Sequence, residues 1–315
     1  MCPRHASALE ALLADDAFDG EFLPNEPMAR HTSYRIGGPA RYHVTCNSVA
    51  ALTSVVRTCE ENGIEWTIVG RGSNLLVADA GYTGAVLVLG RDFKVCRYAE
   101  QDHLFCAGAG VLLSAVVQEA FRRACAGLEF AVGTPGTLGG ALRMNAGTRD
   151  AWIGSRVASV TTFSLREGIV RRSGDTIEWG YRSSGFAPDE IILECELRVE
   201  DADSFYIRGK MEALLASRRK SQPLTFASCG SVFKNPDGAS AGELIERVGC
   251  KGYTVGGAQV SSVHANFIVN LGTATARDVC AVMEHVQERV FELSGVELVP
   301  EVRFLGFDAQ EREAD

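Results

Sequence analysis

The chain has 315 residues, of which 46% are hydrophobic and 23% charged, and its formal net charge is −9. This acidic balance argues against a nucleic-acid partner, which requires a basic face. No segment approaches the roughly 20 apolar residues of a membrane span, and the first residues lack the apolar core of a secretory signal, so we expect a cytoplasmic protein. The ten cysteines are scattered, without a C-x-x-C pair, which favours reduced, buried thiols and no metal site.

The N-terminal half alternates between helical and strand-like segments. Apolar residues recur at helical spacing in several of them, and short apolar or alternating runs predict strands. In chain order the predicted elements are a helix over 6–17, a Pro- and Gly-rich loop over 25–40, a Ser48-capped helix over 48–62, strands at 66–69 and 85–89, a hairpin over 95–107 and a helix over 112–126.

The C-terminal half begins with a glycine-rich loop and continues as a strand meander followed by helices. The predicted elements are a loop over 133–147, strands at 157–165, 169–172 and 190–199, a helix over 202–220, a capped helix over 240–248, a strand over 263–270 and a helix from Thr275 to near Gly295. The break at 221–223 is the best candidate for a domain boundary. Because no βαβ rhythm is sustained, an α+β fold is favoured over a doubly wound sheet.

Glycine is enriched, with 33 residues, and three glycine-rich loops lie beside predicted strands. The first, 70–76, fails the dinucleotide fingerprint because Leu75 occupies the place of the third small residue and a turn replaces the helix. An anion-binding nest and a purely structural turn are equally open for it. The second, 133–147, is stiffened by Pro135 and allows close backbone approach to a ligand. With the third, 31–40, these loops fit one extended ligand such as a dinucleotide.

Seven motifs, including these loops, resemble in order and spacing the UDP-N-acetylenolpyruvoylglucosamine reductase (UDP-N-acetylmuramate dehydrogenase) family. The resemblance covers 25–306, nearly the whole chain. Each motif is weak alone, whereas seven in register are highly specific. The matching segments are 32–40, 70–74, 133–147, 180–183, 230–236, 264–267 and 300–304.

The resemblance implies two N-terminal FAD-binding subdomains of the vanillyl-alcohol-oxidase (PCMH) type and a C-terminal α+β substrate domain. The spacing between Glu190 and Lys220 is too short for the extra tyrosine-bearing loop of one family subtype, which implies the shorter subtype. The implied divisions are an N-terminal helical extension over 1–24, FAD-binding subdomains over 25–90 and 91–215, a substrate-binding domain over 216–306 and a tail over 307–315.

The family uses FAD and NADPH, so the resemblance implies that the glycine-rich loops hold FAD. The residues expected to bind it are Thr32, Ile36, Gly37, Gly38, Gly70, Gly72, Ser73, Asn74, Leu75, Gly133, Pro135, Gly136, Gly139, Gly140, Asn145, Ala146 and Gly147. The segment 148–152 departs from the Ala-Tyr-Gly-like turn that usually follows in the family, which leaves the outer contacts of this loop open.

The family's reaction reduces an enol ether, UDP-N-acetylglucosamine enolpyruvate. NADPH gives a hydride to FAD, flavin N5 passes it to the vinyl carbon, and the adjacent carboxylate-bearing carbon takes a proton. By resemblance Ser231 is the proton donor, and Arg182 and Glu301 stabilise the enolic intermediate. From the residues alone, Ser231 would be a turn serine and Glu301 a strand carboxylate paired with Arg303.

The implied product is UDP-N-acetylmuramate, a peptidoglycan precursor. The residues expected to contact the substrate are Tyr181, Lys234, Asn235, Arg219 and Gln222. The basic end of the helix over 202–220 is equally consistent with a solvated face favoured by the helix dipole, and His264 and Asn266 are interpreted as structural. We expect a monomer without a nucleic-acid or membrane partner.

Two other functions compete with the reductase. One is a related flavin oxidase acting on an alcohol or sugar, and the other is a catalytically silent FAD- or nucleotide-sugar-binding protein. An alcohol oxidase needs a base for the hydroxyl proton, and a silent protein needs none of the presumed catalytic groups. The joint presence of Ser231, Arg182 and Glu301 therefore argues against both.

Overall fold

A computed structural model describes residues 3–307. The predicted tail lies, apart from Phe307, outside the described residues, as do residues 1–2 of the predicted extension. Within the described part, no helix is long and apolar enough to cross a membrane. The helices are α1 Pro3–Leu13, α2 Val49–Glu61, α3 Leu113–Arg122, α4 Leu138–Arg143, α5 Ser204–Ser221, α6 Ala241–Arg247 and α7 Ala276–Ser294.

The strands of residues 3–307 form six sheets. They are β1 Gly20–Pro27, β2 Pro39–Cys46, β3 Trp66–Ile68, β4 Leu75–Val77, β5 Tyr82–Leu89, β6 Cys96–Ala99, β7 Leu104–Gly108, β8 Cys125–Ala126, β9 Val157–Ser164, β10 Gly168–Ser173, β11 Trp179–Gly180, β12 Ser183–Ser184, β13 Ile191–Arg198, β14 Glu200–Asp201, β15 Thr254–Val255, β16 Ala258–Val260, β17 Ile268–Asn270 and β18 Arg303–Leu305. Helices and strands are thus mixed throughout the chain.

The described chain forms two compact units, each with its own apolar core. The predicted domain boundaries at 24, 90, 215 and 306 stay a prediction. The first unit comprises 3–24, 42–70 and 84–216, and the second comprises 25–41, 71–83 and 217–307.

The first unit is built around an antiparallel five-stranded sheet with strand order β10-β9-β13-β7-β6. Phe105, Val160 and Leu197 on its strands are completely buried. A second sheet, with order β1-β2-β5-β3, includes the parallel pair β3–β5. The strands predicted at 157–165, 169–172 and 190–199 are confirmed as β9, β10 and β13 and pair antiparallel. The predicted meander order was wrong, because β13 pairs with β9 and β7 and not with β10.

The second unit packs α7 against a small antiparallel sheet, β15-β16-β17. Val279, Val282, Val286 and Val290 recur every three or four residues and are buried on one face of α7. A separate parallel pair joins β4 to β18. This pair brings the end of the first glycine loop beside the segment that follows Glu301.

Capping signals fixed several helix ends correctly. Thr275 forms a complete capping box with Asp278, and Gly295 ends α7 in the left-handed conformation with φ 66°. Ser48 and Ser240 likewise accept the backbone N–H groups at the starts of α2 and α6. Each capping residue bonds to a group within a few positions along the chain, so the sequence alone can predict these helix ends.

Five predicted elements were wrong in extent or type. The helix over 112–126 ends at Arg122, and Cys125–Ala126 forms β8. The loop over 25–40 contains the end of β1 and the start of β2, whose prolines disguised the strands. The helix over 6–17 ends at Leu13, and the strand over 263–270 is confined to β17. The glycine loop over 133–147 contains α4, because the Thr137 side chain caps this turn despite its two glycines.

Candidate functional site

Gly72 is enclosed by the backbone of the loop that precedes β2. A Cβ atom at Gly72 would lie 2.3 Å from the carbonyl oxygen of His31 and 2.9 Å from Cα of Thr32, and Gly72 has a left-handed φ of 56°. The Ser33 amide also donates to the Gly72 carbonyl, at 3.1 Å. The two loops are interlocked through main-chain atoms, at a point where only glycine fits.

The side chain of Thr32 closes a turn in this loop. Its Oγ1 donates to the Ile36 carbonyl at 2.8 Å and accepts the Ile36 amide at 3.3 Å. Arg35 within the turn has φ 56°, and the Gly38 amide donates to the Ala78 carbonyl at 2.9 Å. The hydroxyl of Thr32 therefore fixes the loop, and a ligand would meet mainly main-chain atoms here.

The main-chain donors of the 71–75 loop fit an anionic ligand. The backbone amides of Gly72 and Asn74 donate to no acceptor among residues 3–307. A pyrophosphate needs such donors, held in place and without a side chain in front of them. The loop therefore fits the pyrophosphate of a bound FAD.

In the first unit, two predicted cofactor-binding glycines, Gly70 and Gly140, converge on Thr137. Its Oγ1 accepts the Gly140 amide at 3.3 Å, and a Cβ atom at Gly70 would lie 2.4 Å from this oxygen. The Gly139 amide donates to the Ala109 carbonyl at 2.9 Å. Thr137 organises the loop, and sequence reasoning missed it because a single hydroxyl among the glycines carries no distinguishing signal.

Ser231 lies in a segment that runs antiparallel to 299–302. The pairing places Val232 opposite Glu301 and Ser231 opposite Val302, and Ser231 and Glu301 are each half-buried. The contacts that define the pairing are the Glu301 amide with the Val232 carbonyl at 2.7 Å, the Lys234 amide with the Val299 carbonyl at 2.8 Å, and a β-bridge between Phe233 and Pro300.

Asn266 clamps the main chain of this segment. Its Oδ1 accepts the Phe233 amide at 3.0 Å and its Nδ2 donates to the Phe233 carbonyl at 2.8 Å. Its own carbonyl accepts the Val232 amide at 2.9 Å. Asn266 is only 3% exposed, so it satisfies polar main-chain groups that would otherwise be buried without partners. The interpretation of Asn266 as structural is confirmed by these contacts.

Asn74 links the first glycine loop to Glu301. Its Nδ2 donates to the Glu301 carbonyl at 2.9 Å, and its own carbonyl accepts the Arg303 amide at 3.0 Å. The side-chain amide of this predicted cofactor-binding residue is thus directed at the protein main chain. It ties the loop at 71–75 to the segment that carries the carboxylate.

The Cys229 thiol is not a candidate nucleophile. Burial, together with the nearby negative charge of Glu301, raises its pKa to about 12. The thiol therefore stays neutral at physiological pH, whereas a reactive cysteine needs thiolate character. Cys229 is also only 3% exposed, whereas Ser231 is half-buried, so the Ser231 hydroxyl is the more accessible of these two proton-bearing groups.

Arg182 belongs to the first unit, where it follows Tyr181 in the two-residue connection between β11 and β12. It has a left-handed φ of 53°, its Nη1 donates to the Gly147 carbonyl at 3.0 Å, and its guanidinium lies 5.4 Å from the ring centre of Tyr181. The Tyr181 side chain is 55% exposed. An arginine so held presents a planar, permanently charged group suited to a carboxylate.

The other predicted substrate-binding residues lie in the second unit. Lys234 is half-buried, and Arg219 is exposed in the last turn of α5, two residues before the end of that helix. The main-chain amide of Gln222 continues this turn by donating to Arg218. The Asn235 Oδ1 accepts the Ala241 amide at 3.0 Å, which supports the start of α6.

The departure at 148–152 forms a tight turn. The Thr148 amide donates to the Ala151 carbonyl at 2.8 Å, and Gly147 and Trp152 form a β-bridge. The Ile153 amide donates to the Ala146 carbonyl at 2.9 Å. The chain thus folds back on 146–147 and leaves the Gly147 carbonyl directed at Arg182.

Two family matches cover most of the chain. Residues 40–173 match the FAD binding domain family. Residues 222–305 match the family described as the UDP-N-acetylenolpyruvoylglucosamine reductase C-terminal domain. The first match contains most of the glycine loops, and the second contains Ser231 and Glu301.

Full-length relatives agree with these matches. The chain is 45% identical to UDP-N-acetylenolpyruvoylglucosamine reductase from Heliobacterium modesticaldum, over 92% of each chain. It is 42% identical to the same enzyme from Geobacter metallireducens, over 91% of this chain and 95% of that one. The crystal structure of the Thermus caldophilus enzyme is similar with a TM-score of 0.78 and 33% identity, covering 91% of this chain and 98% of that one. The predicted resemblance and the predicted fold class are confirmed.

Proposed function

The chain belongs to the UDP-N-acetylenolpyruvoylglucosamine reductase family, and we propose that it reduces UDP-N-acetylglucosamine enolpyruvate to UDP-N-acetylmuramate with FAD and NADPH. This reaction supplies a precursor of peptidoglycan. The observation that carries the proposal is the pairing of the Ser231 segment with Glu301. It supports one site in which the segment of the proton donor runs alongside the segment that carries the Glu301 carboxylate.

The glycine loops would hold FAD. Gly72 and Asn74 would offer main-chain donors to the pyrophosphate, and the loop organised by Thr137 a second glycine-rich surface. When bound, FAD supplies the hydride relay from NADPH to the vinyl carbon of the substrate. The remaining steps are carried by side chains of this protein.

Ser231 would donate the proton to the carbon that carries the substrate carboxylate. A serine hydroxyl is a weak acid, so it acts only where negative charge develops next to it. Gly230, with φ 86°, turns the chain immediately before Ser231, and a Cβ atom there would have no neighbour within 4 Å. This supports close approach of the substrate to the hydroxyl.

Arg182 and Glu301 would stabilise the enolic intermediate. A guanidinium can bind a carboxylate with two parallel hydrogen bonds. These hydrogen bonds strengthen as negative charge builds on the carboxylate oxygens. Glu301 stabilises the same charge only as a protonated acid, or by orienting a neighbouring donor. The main-chain amide and carbonyl of Glu301 are held by Val232 and Asn74, so the main chain that carries the carboxylate is fixed.

The remaining parts of the proposal concern binding and context. Tyr181, Lys234 and Asn235 would contact the enolpyruvyl sugar, and Arg219 and Gln222 the diphosphate, where a cation and an amide are suitable partners. We propose a cytoplasmic monomer without nucleic-acid or membrane partners.

One assay tests the proposal. The purified protein is reconstituted with FAD, its visible spectrum is recorded, and NADPH absorbance is followed with and without UDP-N-acetylglucosamine enolpyruvate. We expect a flavin spectrum and NADPH consumption that depends on the enolpyruvate. A protein that takes up no FAD refutes the cofactor assignment. NADPH consumption that requires only oxygen supports the flavin oxidase instead.

A further inference from the structure

Asn145 is a buried residue whose side chain is directed entirely at the protein main chain. It is 6% exposed and has a left-handed φ of 42°. Its Nδ2 donates to the Gly180 carbonyl at 2.9 Å, and its Oδ1 accepts the Gly154 amide at 3.1 Å. Asparagine tolerates the left-handed conformation better than most residues and carries both a donor and an acceptor. No other common side chain combines these properties in the same shape.

The carbonyl held by Asn145 lies two residues before Arg182. Gly180 is the last residue of β11, and the hairpin connection Tyr181–Arg182 follows it directly. Two residues after Asn145, the Gly147 carbonyl accepts Nη1 of Arg182 at 3.0 Å. The turn at 145–147 therefore holds both the backbone and the guanidinium of the hairpin that carries Arg182.

The other leg of this hairpin is fixed independently. The Ser184 hydroxyl donates to the Arg143 carbonyl at 2.8 Å. The Arg143 guanidinium donates to the carbonyls of Phe186 and Ala187, at 3.0 and 2.8 Å. Loss of the Asn145 side chain would release only the leg that leads into Arg182, because Arg143 and Ser184 keep the opposite leg in place.

We propose that Asn145 is a positioning residue for Arg182, and that its side chain serves the arginine and not the flavin. This inference rests on the proposed function, since it assumes that Arg182 acts on the substrate. Removing the bond to Gly180 would let the hairpin shift and misplace the guanidinium. A displacement of about 1 Å at a catalytic group lowers a rate by up to about 100-fold.

Two substitutions separate the side chain from the backbone conformation. Asn145→Asp keeps the shape and the acceptor for the Gly154 amide, and it replaces the donor to Gly180 by a carboxylate oxygen. Asn145→Gly keeps the left-handed backbone and removes both hydrogen bonds. The two half-reactions are followed by stopped flow, flavin reduction by NADPH and flavin reoxidation by substrate, together with FAD affinity by fluorescence titration and the melting temperature.

We expect both variants to slow reoxidation by substrate about 10- to 100-fold more than they slow reduction by NADPH. FAD affinity should change by less than about threefold, because the Asn145 side chain is directed at the main chain and not at the cofactor. In an Arg182→Ala background, Asn145→Asp should lower reoxidation by no more than about a further twofold, because the effects of two residues acting through one group are not additive.

Three results discriminate the possibilities. Equal losses in both half-reactions with weaker FAD binding would overturn the inference and make the Asn145 side chain part of the flavin site. A full additional loss in the Arg182→Ala background would show that Asn145 acts independently of the arginine. If Arg182→Ala itself leaves reoxidation unchanged, the proposed role of Arg182 fails, which is distinguishable from failure of the positioning role.

Discussion

The segment around Ser231 and Glu301 and the hairpin of Arg182 are held in place by different means. The first is fixed by main-chain pairing, in which Val232 and Lys234 bond to the facing segment and Asn266 clamps Phe233. The second is a two-residue turn, attached through the side chains of Asn145, Arg143 and Ser184. One is core structure, and the other is a turn attached by side chains.

This difference determines how each region should fail. Where main-chain bonds and buried clamps hold the geometry, removing a clamp exposes unsatisfied polar groups and lowers the free energy of unfolding. Where a few side-chain bonds hold an exposed turn, the fold survives their loss and the geometry of one side chain changes. Substitution of the residues that support the Ser231 segment should therefore lower the free energy of unfolding. Substitution of those that support the Arg182 hairpin should lower the rate of the reaction.

The largest expected effect is that of removing the Ser231 hydroxyl. Ser231→Ala should lower reoxidation by substrate by about 10²- to 10⁴-fold, the range for loss of a general acid, because it removes the hydroxyl that would supply the proton. Reduction of the flavin by NADPH should change much less, since it needs no proton from Ser231. Stopped-flow measurement of the two half-reactions checks this.

Ser228→Ala is the matched control for this change, because it removes a half-buried hydroxyl from the same segment. We expect it to retain reoxidation close to that of the parent protein. If Ser231→Ala also reoxidises normally, the proton comes from another group, and the assignment of Ser231 is wrong.

The next largest effect should come from Asn266. Asn266→Ala leaves the buried amide and carbonyl of Phe233 without partners, which should lower the free energy of unfolding by about 2–5 kcal/mol. Asn62→Ala removes the bond from Nδ2 to the Thr58 carbonyl at the partly exposed end of α2, and should lower the free energy of unfolding by about 1 kcal/mol. Urea titration of both variants measures the difference. Equal destabilisation would mean that Asn266 is not the clamp that the contacts indicate.

A methyl group at Gly72 should have an intermediate effect. Gly72→Ala places Cβ against the His31 carbonyl, whereas Gly63→Ala has the same sign of φ, 63°, and no neighbour within 4 Å. In both variants the left-handed φ of an alanine should lower the free energy of unfolding by about 1 kcal/mol. In Gly72→Ala, overpacking should lower it by about a further 1–3 kcal/mol. We also expect about tenfold weaker FAD binding for Gly72→Ala alone, by fluorescence titration. Equal losses of stability and of FAD affinity in the two variants would contradict the close packing of Gly72 against the 31–32 main chain.

Local signals in the sequence predicted much of the fold. The Thr275 capping box and Gly295 lie within a turn of the helix ends that they define, and the apolar alternation in β9 and β13 reflects burial in a sheet. The order and spacing of the glycine-containing motifs identified the family. These features depend on residues that are close in sequence, so a linear reading detects them.

The supports of the site could not be predicted in this way. Asn74 meets Glu301 across 227 positions and Asn266 meets Phe233 across 33. An asparagine in a glycine-rich loop resembles a ligand contact, and only the folded chain shows that the side chains of Asn74 and Asn145 are directed at the backbone. Long-range partners of this kind depend on topology, which the local pattern does not encode.

The smallest expected effect is a pH dependence at His264, which supports the Asn266 clamp. Its Nδ1 accepts the Asn266 amide at 3.2 Å, and burial, then the charge of Lys251, lowers its pKa below the ordinary 6.5. The neutral ring is therefore favoured by folding. Below pH 6.5 the unfolded chain binds a proton that the folded chain does not, so this contribution is complete above pH 6.5 and is lost as the pH falls towards the lowered pKa.

His264→Asn tests this, because its Oδ1 can accept the same amide and does not titrate. Between pH 7.5 and 5.5 or so, the melting temperature of the parent protein should fall more than that of the variant. The Ser231 region would then lose stability in acid through its clamp, while the Arg182 hairpin, held by groups that do not titrate in this range, would not. Parallel melting profiles would mean that His264 does not couple protonation to the Asn266 clamp.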